Sequence, residues 1–316
     1  MKRLVVSLCL LLGLAWAQDA FKVAVVMPSA TNDLAFSESM YDSLLAIQEE
    51  MGADNFEFDY ADGTFVVDDA AAAIRDWASQ GYDLIIAHGS QYGAPLQEIA
   101  PDFPDVSFAW GTAGDTFGMD NVYAYEAASD QGGYVNGVIA ATLSKSGIIG
   151  VVGPIEVGDA KLYVDGFKIG ATATNPEVQV NVNYIGSFGD VALATEAANT
   201  HAEAGADVLT GSAQMVVGAI GVAKERGLLW LGTQASQTEL APEIVVANQV
   251  YDWTVILKPI IEQVKAGKLG GEAYVITLEN GGLDMEINDN AGADAKAAAE
   301  AAISGIIDGS IAPLGE

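Results

Sequence analysis

Two histidines, one cysteine and 43 acidic residues are the side chains from which this 316-residue chain could assemble a reactive centre. His88 and His201 are far apart and fall on different elements, which disfavours a histidine-bound metal or a Ser-His-Asp triad. Asp33, Asp115 and Asp252 are available as paired carboxylates, but nothing in their spacing sets a separation. No G-x-x-x-x-G-K-[ST] phosphate loop occurs, and "SGIIGVVG" has its glycines inside a strand rather than after one. "DMEINDNAGAD" lacks the central Gly and terminal Glu of a calcium loop. Neither metal nor cofactor is expected, and catalysis is the weaker hypothesis.

A different chemistry sits where strands end. In chain order these segments are Ser29 to Phe36, "HGSQYG" at 88–93, "WGTAGD" at 110–115, "GPIEVG" at 153–158, "GSAQM" at 211–215 and "GTQASQ" at 232–237. They are rich in Gly, Ser, Thr, Gln and aromatics. Such groups read and stack on a small ligand rather than transform it.

The elements that must position them alternate regularly. "FKVAVVM" is a continuous apolar run of the kind buried on both faces of a parallel sheet. A helix follows from Ser37 to Met51, with Met40, Leu44 and Ile47 on one stripe. Strand and helix patterns continue through "YDLIIAHG", "DVSFAWG" and "NVYAYE", and the rhythm restarts near residue 127. So many strand–helix units exceed one sheet and predict an α/β chain of two doubly wound parallel sheets. The Ala-rich "ADAKAAAEAAISGIIDG" reads as a terminal helix.

The first seventeen residues set the context. Lys2 and Arg3 precede an apolar core from Leu4 to Leu14 and then Ala15-Trp16-Ala17, the pattern of a secretory signal peptide cleaved before Gln18. That core is shorter than the roughly 20 residues a bilayer requires. A lipid-anchoring signal at Cys9, the sole cysteine, fits poorly because bulky Leu8 precedes it. Cleavage leaves 11 basic against 43 acidic residues, a formal charge of −32. Such a surface repels phosphate backbones and anionic lipid, so neither nucleic acid nor a membrane surface is an expected partner.

Six segments together carry a family resemblance: "VAVVMPSATNDLAFSESMYDSL", "IRDWASQGYDLIIAHGSQYG", "IAPDFPDVSFA", "NVYAYEAASDQGGYVNGVIAATLSKSGIIGVVG", "GFKIGATATNPEVQVNVNYIGSFGD" and "GADVLTGSAQMVVGAIGVAKERG". Across Phe21 to about Leu278 the chain resembles the basic membrane protein family, purine nucleoside receptors that serve as solute-binding proteins of ABC transporters. The resemblance implies a type I periplasmic binding protein fold, with two lobes closing over one ligand. Its expected bounds are 18–126 plus 250–279 for the N-terminal lobe and 127–249 plus 280–316 for the C-terminal lobe. It implies a monomer in the periplasm that hands its ligand to a transporter permease.

The resemblance also proposes a site. Asn32, Asp33 and Phe36 stand where the family places a polar pair and an aromatic that stacks on the purine; the alternative is that they cap a helix and staple it to the core. Tyr92 takes the place of a family Phe. Trp110-Gly111-Thr112 replaces a base-reading Asp, Gln234 replaces a ribose-binding Asp, and Gln249 replaces a Lys that reaches the ribose. With Gln214, Tyr251 and Asp252 these complete the expected ligand-binding set. Loss of the ribose clamp makes a free nucleobase or another flat heterocycle a candidate ligand beside the nucleoside. Two other classes compete. A sensor-type receptor would use the same fold, and a nucleoside hydrolase would need an Asp-rich metal cluster that the strand ends lack.

Overall fold

The structure, a computed structural model, describes residues 20–315. The signal sequence, its cleavage site and Cys9 lie outside the described residues. Strand β1 (Phe21–Val26) is followed by α1 (Phe36–Met51), β2 (Phe56–Ala61), α2 (Val67–Gln80), β3 (Leu84–His88), α3 (Gly93–Ile99), β4 (Ser107–Gly111) and β5 (Val122–Ala127). These strands, joined by β11 (Ala273–Ile276), form one parallel sheet in the order β11-β5-β4-β3-β1-β2.

The chain then crosses to a second sheet. Its elements are α4 (Ser129–Leu143), β6 (Ile148–Gly153), α5 (Gly158–Thr174), β7 (Gln179–Tyr184), α6 (Val191–Glu203), β8 (Val208–Gly211), α7 (Val216–Arg226), β9 (Leu229–Gln234) and β10 (Val245–Tyr251). It crosses back to α8 (Thr254–Lys265) and β11, then over again to β12 (Leu283–Ile287) and α9 (Gly292–Ile307). The second sheet has the order β12-β10-β9-β8-β6-β7, parallel except that β12 runs antiparallel to β10.

Each sheet is covered on both faces, which explains runs such as "LIIAH" in β3, buried at every position. In the first lobe, α1 and α8 bury Met40, Leu44, Ile47, Trp253 and Leu257 on one face, while α2 and α3 bury Ile74, Leu96 and Ile99 on the other. In the second lobe, α4, α5 and α9 cover one face, and the other is covered by α6 and α7. Helices α4 and α5 pack backbone to backbone. A Cβ on Gly133 would stand 2.3 Å from Tyr163 O, and one on Gly166 would stand 2.2 Å from Asp130 O. This close approach seats the first turn of α5 against the crossing between the lobes.

Both sheets reverse their winding beside their first strand, between β1 and β3 and between β6 and β8. Ligands of open α/β sheets bind at such switch points, beyond the carboxyl ends of the strands. Contacts across the cleft join these ends. Thr112 Oγ1 donates to Asp159 Oδ1 at 3.0 Å, and Gln237 Nε2 donates to Leu34 O at 3.2 Å. At one rim, Phe65 lies against Gly189.

Two strands lack a clear signal in the sequence. "FEFDYA" (β2) is an edge strand with one partner, and "LDMEI" (β12) occupies part of the segment weighed as a calcium loop. There Met285 pairs with Gln249, and among the described residues no group of three or more His, Cys, Asp or Glu is arranged for a metal. The strand β10 continues to Tyr251, so Val250 and Tyr251 sit in the second sheet, and Ala127 ends β5 in the first. Among the described residues no helix is long and apolar enough to cross a membrane.

Candidate functional site

The switch points enclose a small cavity, lined from the first lobe by Phe36, Gly89 and Thr112 and from the second by Asp159, Phe188, Gln214 and Gln234. The free space within it is about 20 Å³, room for about one water, so a ligand is admitted only as the lobes part. Phe36 opens α1, and the loop before it is held by Asp33. The Asp33 carboxylate accepts from the backbone N–H of Ala35 (2.9 Å), Ser37 (3.0 Å) and Glu38 (3.1 Å), and from Ser29 Oγ.

Phe36 is buried, yet it forms part of the cavity wall. Its ring stacks on His88 with centroids 3.8 Å apart and planes 9° apart, and meets the edge of Trp253. Burial pushes the His88 pKa down to about 3, so the imidazole is neutral. Its Nε2 lies 3.1 Å from Phe36 O, and a carbonyl only accepts, so Nε2 carries the proton. Nδ1 then accepts from Tyr125 OH at 2.8 Å. The histidine is a neutral spacer that fixes both the ring and the backbone of Phe36.

Across the cavity the polar group of consequence is Asp159, in the first turn of α5 and 6% exposed. Thr112 Oγ1 donates to its Oδ1, while Gln234 Nε2 and Tyr251 OH each donate to its Oδ2 at 3.0 Å. Glu126 lies nearby, and burial followed by the Asp159 charge pushes its pKa up to about 8. Burial raises Asp159 as well, but three side-chain donors oppose that shift. Among the described residues no lysine or arginine lines the cavity.

Comparison with known proteins identifies the family. The profile of the Bmp family, described as ABC transporter substrate-binding protein PnrA-like, matches residues 20–313. The chain belongs to that family. A purine-binding protein of Brucella abortus (strain 2308) is 30% identical over 241 residues, 76% of this chain and 68% of the relative. A transcriptional activator, med, of Bacillus subtilis (strain 168) is 29% identical over 265 residues, 84% of this chain and 81% of the relative. Among solved structures, an ABC transporter solute-binding protein from Conexibacter woesei has a TM-score of 0.74 at 26% identity, covering 93% of this chain and 98% of that one.

Within this Bmp-family fold the ten residues expected at the site take different places. Phe36, Gln214 and Gln234 line the cavity. Tyr251 stands behind it and reaches it through Asp159, and Trp110 stands behind Gly89, donating from Nε1 to Gly89 O at 3.2 Å. Tyr92 is fully buried with its hydroxyl on Thr64 O, because the 3₁₀ turn after β3 directs it into the core. Asn32 is exposed, and Asp33 caps α1. Asp252 caps α8 through Thr254 N and lines a separate groove with Glu38 and Glu239. Gln249 packs against Gly132 beneath α4, away from the cavity wall, with neither amide atom hydrogen-bonded.

Three further residues of the cavity wall were not among those expected: Thr112, Asp159 and Phe188. Thr112 stands out in the sequence only as part of a replacement for a family Asp. Asp159 follows the strand-end loop "GPIEVG" by one residue and looks like an ordinary first-turn acid. Phe188 had a usable signal, an aromatic in the Gly/Ser-rich "IGSFGD" where a turn offers no core to fill.

Proposed function

We propose that this Bmp-family protein is a periplasmic receptor that captures a purine nucleobase or nucleoside and delivers it to the permease of an ABC importer, acting as a monomer. The observation that carries the reading is one cavity with an aromatic ring from each lobe, Phe36 and Phe188, and polar edges from Asp159, Gln214 and Thr112. A flat heterocycle satisfies both sets of walls at once, its faces on apolar carbon and its edge on polar groups. The purine-binding relative from Brucella abortus supports the same ligand class. Of the carboxylates available as a catalytic pair, Asp33 and Asp252 cap α1 and α8, which supports ligand capture over chemistry.

Calorimetry with purine bases and nucleosides tests this. One site per chain is expected, with affinity on the order of micromolar or tighter, about −8 to −10 kcal/mol. A panel that gives neither heat nor thermal shift overturns the purine assignment. The regulator relative from Bacillus subtilis favours a second reading, a receptor that signals rather than transports. Ligand-stimulated ATP hydrolysis by the cognate reconstituted transporter separates the two.

A further inference from the structure

We propose that Asp159 and Gln214 read the ligand as hydrogen-bond acceptors, so that the cleft selects a neutral or cationic aminated heteroaromatic ring and rejects rings that are anionic at neutral pH. The proposal rests on the reading of this cavity as the ligand site, but not on the ligand being a purine.

The first ground is the way Asp159 is held. Every side chain bonded to its carboxylate is neutral and donates: Thr112, Gln234 and Tyr251. Its Oδ1 receives a single side-chain bond, whereas Oδ2 receives two. Each carboxyl oxygen carries two lone pairs, so Oδ1, with one side-chain donor, has acceptor capacity to spare on the cavity Asp159 lines.

A second ground is that the protein supplies no countercharge. Among the described residues no lysine or arginine lines the cavity, and His88, behind Phe36, is buried and neutral. The start of α5 would otherwise attract an anion, but Asp159 itself occupies that first turn. Gln234 cannot serve as a free donor either. Its Nε2 is committed to Asp159, and its Oε1 accepts from Ala213 N at 3.2 Å.

The third ground is independent of Asp159. Gln214 lines the same cavity, is 8% exposed, and its Oε1 has no hydrogen-bond partner. A buried acceptor without a donor is costly, so an N–H on the ligand is its natural complement, and the Nε2 of the same amide is free to take a ring nitrogen beside it. Two acceptors from one lobe, with an aromatic ring from each side, describe an amino-substituted ring. This carboxylate stands on α5, at neither of the two positions where the family resemblance places an Asp.

Calorimetry at pH 7 with adenine, 2,6-diaminopurine, cytosine, urate and orotate tests the proposal on the full mature chain, with Asp159→Asn and Gln214→Leu alongside. The expected result is binding of aminated rings and at least about a tenfold weaker response to urate and orotate. Asp159→Asn should narrow that ratio by about tenfold or more, a change of rank that a merely structural role would not produce. Gln214→Leu should weaken aminated rings without helping the anionic ones, and it keeps the test open should Asp159→Asn not fold. Wild-type protein that holds urate as tightly as adenine overturns the inference while leaving the purine reading intact. Binding of cytosine but of no purine does the reverse. Absence of binding across the panel overturns both.

Discussion

The imidazole of His88 lies 3.8 Å beneath the ring of Phe36, centroid to centroid, and its Nε2–H donates to the Phe36 carbonyl. One side chain thus holds both the ring and the backbone of the residue that forms the first lobe's aromatic wall. The two roles weighed for Phe36, core staple and ligand platform, are combined in one position, because a ring this deeply packed still reaches the cavity.

Truncation of that wall should therefore have a double effect. Phe36→Ala is expected to weaken ligand binding by about 1–3 kcal/mol and to cost the fold about 3–5 kcal/mol. Phe188 is only half-buried on its loop, so Phe188→Ala should show a similar loss of affinity with a much smaller loss of stability. Calorimetry and denaturant melts on both variants check this. Equal stability losses would contradict the asymmetry of the two walls.

Acid should weaken the fold through His88. Its pKa is about 3 when folded, against the ordinary 6.5 of an exposed histidine, so the unfolded chain binds the proton and the folded one does not. Stability should rise with pH between about 3 and 6.5 and be lost as pH falls through that window. His88→Gln should flatten this limb in denaturant melts taken across it. Part will persist, since His201, buried with its Nε2 on Val151 O, is shifted in the same direction. An unchanged slope in the variant would show that His88 already titrates normally.

Glu126 should act in the opposite sense. Folding raises its pKa from 4.5 to about 8, so the folded state keeps a proton that the unfolded chain has released. Its contribution is complete below about 4.5 and is lost as pH rises toward 8. Glu126→Gln should remove that decline, leaving the variant more stable than the wild type at pH 8 relative to pH 5. Parallel stability curves for the two proteins would rule the shift out.

Restoring a carboxylate at position 234, where the family resemblance expects one, should not restore sugar recognition. Gln234→Asp would remove the amide that donates to Asp159 and place a second carboxylate beside it. The expected cost is about 1–3 kcal/mol of stability, relieved at acid pH as the pair takes up one proton. Nucleoside affinity should not rise relative to that of the free bases. A gain for nucleosides with undiminished stability would mean that Asp159 yields the site to the newcomer.

Local pattern was enough for the architecture. Apolar runs such as "FKVAVV" and "LIIAH", each followed by a helix stripe, leave a chain little choice but parallel sheets covered on both faces, and the restart near residue 127 marks the second sheet. The strand-end loops were legible for the same reason, since a doubly wound sheet exposes its ligand edge there. Edge elements were less so: β2 and β12 have one partner each and are only partly buried, and they lack the long apolar signal of the central strands.

The membership of the site was decided in three dimensions. Asn32, Asp33 and Asp252 have the chemistry to read a ligand, but the loop leaves Asn32 in solvent and two helix starts claim the two aspartates. Asp159 has the sequence signature of a first-turn acid. It becomes the cavity's carboxylate because the Gly133 and Gly166 contacts bring α5 against the lobe crossing, where Thr112, Gln234 and Tyr251 converge on it from 47, 75 and 92 residues away. A helix or strand is specified by neighbours within a few residues and so is visible in a single chain. The protonation and partners of a buried carboxylate depend on groups that only packing brings within 3.0 Å.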